Sequence, residues 1–550
     1  MQAELPRSGA ASLVAVLEQA AVRCVFSLSG NQIMPVYDAL FGSDIRLVHV
    51  RHEAAAVYMA EAWAQLTGEI GVALVTAGAG FGNALGALIS ARASETPVLL
   101  LSGDSPRGQD GMGAFQELDQ VAMSAPVVKH ACRASDADAL AREMAEAIRL
   151  AQSGRPGPVH LALPADVLTD TPARRVAADI MPVANPPGVD EVEEIAAFLR
   201  AAEAPLVLTG PALSPTRAGT VLERLEATLG APVLCMESPR GLRDPSMGAL
   251  AEITRRADRI LLLGKSPDFT TGFLGRDMGR EGAQFAVIDP DTLELDRAAA
   301  RLGARLKISV QADALPAAKA LAQAAGAVTD RAEWRARVAE AIARRMALTD
   351  SAGAEVLHPA TLGAVLAQLL AQKPEAVLIC DGGEFGQWMQ AMPHHGARII
   401  NGVSGAIGAA PAYAIAASLA RPEAQIIACM GDGTAGFLLA EYETAAREGA
   451  RFVAIIGNDN SWNAEHQIQL RSYGPERLFG CDLSPAARYD AAAAALGGQG
   501  LHIAEGGENA FRTALESALN TDGPICLNAA IQPAPAPVVA IRNGEAEPVH

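Results

Sequence analysis

The stretch AQIIACMGDGTAGFLLAEYETAAREGARFVAIIGNDNSW, residues Ala424–Trp462, decides how the rest of the chain is read. An apolar run (Ile426–Met430) breaks at Gly431-Asp432-Gly433, and a helical pattern continues through Gly449. A second apolar run (Phe452–Ile456) ends at Asn458-Asp459-Asn460. This spacing predicts two neighbouring parallel strands joined by a helix. Open α/β sheets bind ligands at the carboxyl ends of their strands. Asp432 and Asp459, 27 positions apart, are expected to face one another there. Two hard oxygen ligands suit Mg²⁺ bridging a phosphate, and glycines let backbone N–H groups approach that phosphate. The plain alternative is a strand end with Gly-Asp-Gly as turn chemistry.

Working outward, 550 residues allow two to four domains. A formal charge of −18 argues against nucleic acid or an anionic membrane as the main partner. No run of 18 or more apolar residues predicts a membrane span. The N-terminal stretch is amphipathic with an internal Glu and does not read as a signal peptide. Seven scattered cysteines without CxxC fit reduced cytoplasmic thiols.

From the start of the chain, helices at 12–21, 34–40 and 54–66 alternate with strands at 24–28, 46–50, 72–75 and 97–101. That alternation predicts a doubly wound parallel sheet. The strand at 46–50 ends at Arg51-His52-Glu53, which places a carboxylate in a helix's first turn, where the dipole favours it. The strand at 72–75 runs into the loop TAGAGFGN, Thr76–Asn83. Asn185–Asp190 (NPPGVD) reads as a linker, and strands at 205–209, 232–234, 259–263 and 284–288 build a second α/β unit. No glycine fingerprint follows its first strand, since the stretch LVLTGP (Leu206–Pro211) lacks GxGxxG. Charged helical sequence at 330–348 reads as a solvated face. A third unit opens with a helix at 360–370 and a strand at 376–380 feeding Asp381-Gly382-Gly383-Glu384-Phe385-Gly386. The Pro/Ala-rich tail from Gln532 is expected to be mobile or draped over the site.

The GDG…ND pattern resembles the diphosphate–metal motif of thiamine-diphosphate enzymes, with Asp459 where that family usually has Asn. The stretch RHEAAAVYMAEAWAQLTGEIGVALVTAGAGFGNALGALISARASETPVLLLSG, with GAFQELDQVAMSAPVVKH (Gly113–His130), resembles the acetolactate synthase and benzaldehyde lyase group. The resemblance covers nearly the full length. It implies three doubly wound parallel-sheet domains: pyrimidine-binding (1–178), middle (188–328) and diphosphate-binding (350–532), with a tail at 533–550. It also implies thiamine diphosphate and Mg²⁺ as cofactors. Asp432, Asp459 and the Ser461 carbonyl would hold the metal, and Gly383, Gly431, Gly433 and Thr434 would line the diphosphate site. Gly405 would accept from the 4′-amino group, and Ile407 would prop the cofactor's bend. Glu53 would contact N1′ of the aminopyrimidine and so promote proton removal from the thiazolium carbon.

Gln116 matches a substrate-polarising Gln of the group, and Gln32 stands where benzaldehyde lyase carries a His, which removes a proton relay of that enzyme. FAD occupies the middle domain in some members and ADP in others; neither is assigned here. Trp462, Asn463, His466, Gln467 and Arg471 fall where members often build a lid. The implied activity is a carboligase or lyase acting on a 2-oxo acid, aldehyde, acyloin or 2-hydroxyacyl thioester, acetolactate synthase being the first subgroup to test. A 2-oxo acid or 2-oxoacyl-CoA decarboxylase is the alternative, and a non-catalytic cofactor-binding homologue a third reading. The family's cofactor sits between two chains, which implies a homodimer or homotetramer with its sites at the dimer interface.

Overall fold

Successive residues of β9 (Arg259–Leu263) enter different cores, which explains why its sequence is apolar without alternation. Ile260 and Leu262 pack with Leu206, Leu208, Phe285 and Val287 on one face. Leu261 and Leu263 pack with Val207, Ala286 and Ile288 on the other. Both faces of this sheet are therefore covered, as a doubly wound parallel sheet requires. The computed structural model describes residues 7–173, 179–276, 278–326, 330–344, 356–393 and 396–538. It contains three such α/β sheets, and every strand pair in them is parallel.

The first sheet comprises β1 (Cys24–Ser27), β2 (Arg46–His49), β3 (Gly71–Val75), β4 (Val98–Asp104), β5 (His130–Arg133) and β6 (Val159–Pro164), ordered β2-β1-β3-β4-β6-β5. The second comprises β7 (Pro205–Thr209), β8 (Val233–Cys235), β9, β10 (Gln284–Ile288) and β11 (Leu306–Val310), ordered β11-β10-β9-β7-β8. The third comprises β12 (Val377–Cys380), β13 (Arg398–Ile400), β14 (Ile426–Gly431), β15 (Phe452–Asn458), β16 (Gln499–Ile503) and β17 (Pro524–Ala530), ordered β13-β12-β14-β15-β17-β16. Counted from its own first strand, the third sheet repeats the order of the first.

By contact density the chain divides into two units, Met1–Ala184 with Ile415–Arg421, and Asn185–Ala414 with Pro422–His550. Within the second unit, a buried Arg398 Nε–Glu237 Oε1 pair at 2.6 Å joins β13 to the segment after β8. Gln390 donates to both Asp244 carboxylate oxygens at 3.3 and 3.2 Å.

Three local expectations change. The helix expected to run through Gly449 is split into Asp432–Ala435 and Glu441–Glu448. Phe437 turns out of the helical path to lie against Gly408, where an added Cβ would sit 2.5 Å from its own. Its ring also makes an edge contact with Trp462, centroids 6.2 Å apart. The loop expected over Thr76–Asn83 is already helical from Ala79. The 330–348 segment forms helix Ala332–Ala343, with Trp334, Val338 and Ala341 buried, so only part of it is a solvated face. Residues 345–348 and 539–550 lie outside the described residues. The described part of the tail is tied down: Trp388 Nε1 donates to Pro535 O and Asn463 Nδ2 to Ala534 O, both at 2.9 Å.

Candidate active site

In the first unit, the sequence after β2 enters helix Glu53–Thr67 through His52, whose ring nitrogen accepts from the Ala54 N–H at 3.1 Å. Glu53 is thereby fixed at the carboxyl edge of the sheet and is 8% exposed. Its Oε2 accepts from Asn83 Nδ2 at 2.9 Å. Gly80 closes over it, since a Cβ there would lie 3.1 Å from Glu53 Oε1 and 2.7 Å from Thr76 Cγ2. Thr76 Oγ1 donates to Gln32 Oε1 at 2.7 Å, and Gln32 Nε2 donates to Gln116 Oε1 at 2.9 Å. Two glutamines 84 residues apart are thus brought into one hydrogen-bonded chain. Gln116 sits in the left-handed region (φ +61°), a strained state for a side-chain-bearing residue. Gly78 gives it room, because a Cβ there would lie 2.9 Å from Gln116 Cβ. Gln116 has spent its carbonyl on Gln32, and its half-buried NH₂ is an available donor for a carbonyl oxygen.

In the second unit, β14 and β15 pair with Gly431 opposite Gly457, which brings Asp432 and Asp459 to one sheet edge. Burial pushes the Asp432 carboxyl up to about 7, and the neighbouring Asp459 charge adds to that rise. Asp459 is likewise raised by burial, against the opposing hydrogen bond from Ser461 Oγ at 2.9 Å. Ser461 bridges to Asp482, but that pairing uses the Asn460 carbonyl and the Trp462 N–H, which leaves the Ser461 carbonyl outside it. Thr434, 4% exposed, lies in the same turn.

The glycines of this edge sort into two kinds. A Cβ on Gly433 would lie 2.8 Å from the Trp462 ring, and one on Gly382 would lie 2.3 Å from Ile407 Cγ2. On these two the Cβ side is closed by the protein's own side chains. At Gly383, Gly405 and Gly431 an added Cβ would meet nothing within 4 Å. Those three border open space, as a cradle for a ligand's anionic group would.

Asp381 opens the glycine-rich loop after β12 and has a supporting role that its sequence alone does not show. Its carboxylate accepts from Gly382 N–H at 2.7 Å, Gly408 N–H at 3.1 Å and Ala410 N–H at 2.8 Å. Burial nevertheless lifts it to about 6. It therefore holds the segment bearing Gly405 and Ile407, helped by Asn401 Nδ2 donating to the Ala406 carbonyl. A second network went unseen in the sequence: Asn458 Nδ2 donates to Asn528 Oδ1 at 3.1 Å, and Asn528 Nδ2 donates to Asp490 Oδ1 at 3.0 Å. It fixes the turn in which Asn460 adopts φ +58°. Of the lid candidates, Asn463, His466, Gln467 and Arg471 share helix Asn463–Tyr473, and Trp462 precedes it.

A cavity of about 600 Å³ in the second unit is lined by Arg240, Arg243, Arg255 and Arg276 with Phe269, Thr270 and Thr271, and reaches Gly405. Among the described residues no carboxylate lines it, and the four arginines give that part of the wall a basic character in a chain of net charge −18.

Comparison with known proteins places these edges in context. The description "Thiamine pyrophosphate enzyme, N-terminal TPP binding domain" matches residues 7–123, and "Thiamine pyrophosphate enzyme, C-terminal TPP binding domain" matches residues 381–529. The first span holds Gln32, Glu53 and Gln116; the second holds Asp381, Ile407, Asp432 and Asp459. The chain is 31% identical over 531 residues to the acetolactate synthase large subunit of Mycobacterium tuberculosis, covering 94% of each. It is 28% identical over 559 residues to 2-hydroxyacyl-CoA lyase 2 of Homo sapiens, covering 92% of this chain and 86% of that one. For 2-hydroxyacyl-CoA lyase 2 of Caenorhabditis elegans the identity is 29% over 570 residues, covering 93% and 87%.

Proposed function

Because the chain belongs to the thiamine pyrophosphate enzyme family, we propose that it is a carboligase or lyase of the acetolactate synthase kind, making or breaking a carbon–carbon bond beside a carbonyl or hydroxyl carbon. The observation that carries this reading is the Thr76–Gln32–Gln116 chain, which leaves an N–H donor beside the edge that bears Glu53. Bound thiamine diphosphate supplies a carbon nucleophile. Glu53 holds and moves a proton at N1′, oriented by Asn83. Gln116 polarises the substrate's carbonyl oxygen. Gly405 and Ile407, kept in place by Asp381, seat the cofactor's bend.

Asp432, Asp459 and the Ser461 carbonyl hold Mg²⁺. The remaining ligands of that cation would come from phosphate oxygens and water. Two buried carboxylates, both raised by burial and Asp432 further by the Asp459 charge, are stabilised by such a cation. Gly383, Gly431, Gly433 and Thr434 form the diphosphate edge. The working unit is a homodimer or homotetramer, in which Glu53 of one protomer meets Asp432 of the other; dilution that dissociates it abolishes turnover. Its seven cysteines, all free, fit a cytoplasmic setting.

A second reading, a 2-hydroxyacyl-CoA lyase, is favoured by the arginine-lined cavity that reaches Gly405, which suits a phosphorylated substrate. Near-UV circular dichroism of the protein with Mg²⁺ and thiamine diphosphate tests both. Adding pyruvate, benzoin and a 2-hydroxyacyl-CoA in turn should perturb the cofactor band with one of them and so choose the subgroup. Absence of any cofactor band would overturn the proposal.

A further inference from the structure

His160 of β6 is wholly buried, and the chemistry proposed above makes no use of it. Its Nε2 lies 2.8 Å from Ser102 Oγ of β4, and its Nδ1 lies 2.7 Å from Ser124 Oγ at the end of helix Gln120–Ser124. Burial holds the imidazole down to about 3, so the ring is neutral, with one N–H and one lone pair. The Ser124 hydroxyl donates to the backbone carbonyls of Gln120 and Val121, at 3.0 and 3.3 Å. With one N–H and one lone pair, the ring donates to one of these two hydroxyls and accepts from the other.

The ring's other contacts lead to both ends of the candidate site. Its face stacks on Phe81, centroids 4.8 Å apart at an interplanar angle of 26°. Phe81 lies between Gly80, which closes over Glu53, and Asn83, which donates to Glu53. On the helix that Ser124 ends, Gln120 Nε2 donates to the Gly103 carbonyl at 2.9 Å. Gly103 in turn backs Gln32, since a Cβ there would lie 2.7 Å from Gln32 Cβ.

We propose that His160 is a positioning residue that braces the Gln116-bearing segment (107–124) and the Glu53-contacting turn (76–83) against β4 and β6. Its catalytic consequence rests on the reading of Gln116 as the group that polarises substrate; its structural consequence does not. The test therefore begins with neither cofactor nor substrate. Hydrogen exchange of the full chain is compared with that of His160→Phe, which keeps the stacking ring and deletes both hydrogen bonds. Exchange over residues 107–124 should rise at least about tenfold, while β3, β4 and β6 keep their protection. Unchanged exchange overturns the proposal, and so does equal loss of protection in β4 and β6, which would make His160 plain core packing. Should His160→Phe fail to fold, Ser124→Ala removes one of the two bonds and carries the same expectation.

The loaded enzyme supplies the second readout, with pyruvate or a 2-hydroxyacyl-CoA, whichever it turns over. His160→Phe should lower kcat about tenfold with little change in KM, and should cost nothing further in a Gln116→Ala background. Losses that multiply in the double variant would show that His160 does not act through Gln116.

Discussion

Replacing Asp459 with Asn probes the feature by which this chain departs from the Asn usual in its family. The amide keeps an oxygen to accept from Ser461 Oγ and removes the charge beside Asp432. In the cofactor-free protein Asp432 rises from 3.8 to about 7, which at ~1.36 kcal/mol per pH unit amounts to about 4 kcal/mol of linkage. A carboxyl whose folded-state value exceeds its unfolded one binds its proton more tightly when folded. The stability it contributes is therefore whole below pH about 4 and is lost as the pH climbs through about 7. Burial is the larger cause and Asp459 the second; a like charge in such a site is worth on the order of 1–2 kcal/mol. Urea unfolding of the metal-free proteins from pH 4 to 8.5 reads this out, because the difference between wild type and Asp459→Asn cancels every other titrating group. The two proteins should match at pH 4, and the variant should be the more stable by about 1–2 kcal/mol at pH 8. With Mg²⁺ and thiamine diphosphate present the order should reverse, since two carboxylates hold a divalent cation better than one. Parallel curves in the metal-free state would refute the claim that these side chains feel one another.

Three further outcomes follow from the same geometry. Glu53→Gln should keep the cofactor bound while slowing exchange of the thiazolium C–H by about 10²–10⁴-fold, the usual worth of a positioned acid or base; an undiminished exchange rate would remove Glu53 from its role. Gly382→Ala should weaken thiamine-diphosphate binding in titration calorimetry, because a Cβ 2.3 Å from Ile407 Cγ2 displaces that side chain, overpacking that costs about 1–3 kcal/mol. Glu237→Gln removes the carboxylate that the buried Arg398 guanidinium meets at 2.6 Å, leaving it the Asp244 charge, and should lower stability by about 1–3 kcal/mol; an unshifted unfolding midpoint would contradict it.

The parts of the fold legible in the sequence were those with continuous apolar runs. β7, β9 and β10 fall where the run-and-break pattern predicts them, because strands covered on both faces carry little else. Edge strands such as β5 and β16 are half-exposed and show no such run. β6 and β17 are central yet were hidden for another reason. His160 and Asn528, both fully buried, interrupt their apolar character, and the Ser and Asn partners that make this burial tolerable lie dozens of residues away. The same blindness applied to the site. Glu53, Gln32, Gln116, Asp432 and Asp459 belong to recognisable stretches, whereas the supporting roles of Asn83, Asp381 and Asn401 depend on contacts that only the fold creates.

The repeated strand order gives a physical reason why the site residues come from two separate stretches. In each six-stranded sheet the order reverses beside the first strand, so the loops after the first, second and third strands gather at one switch point. The first sheet puts Gln32 after its first strand, Glu53 after its second and Thr76 after its third: a neutral amide, a hydroxyl and one carboxylate, suited to proton transfer and carbonyl polarisation. The third sheet puts Asp381 and Gly383 after its first strand, Gly405 and Ile407 after its second and Gly431-Asp432 after its third, with Asp459 after its fourth: open glycines and paired carboxylates, suited to a metal-bound diphosphate. One architecture used twice thus supplies two differently charged edges.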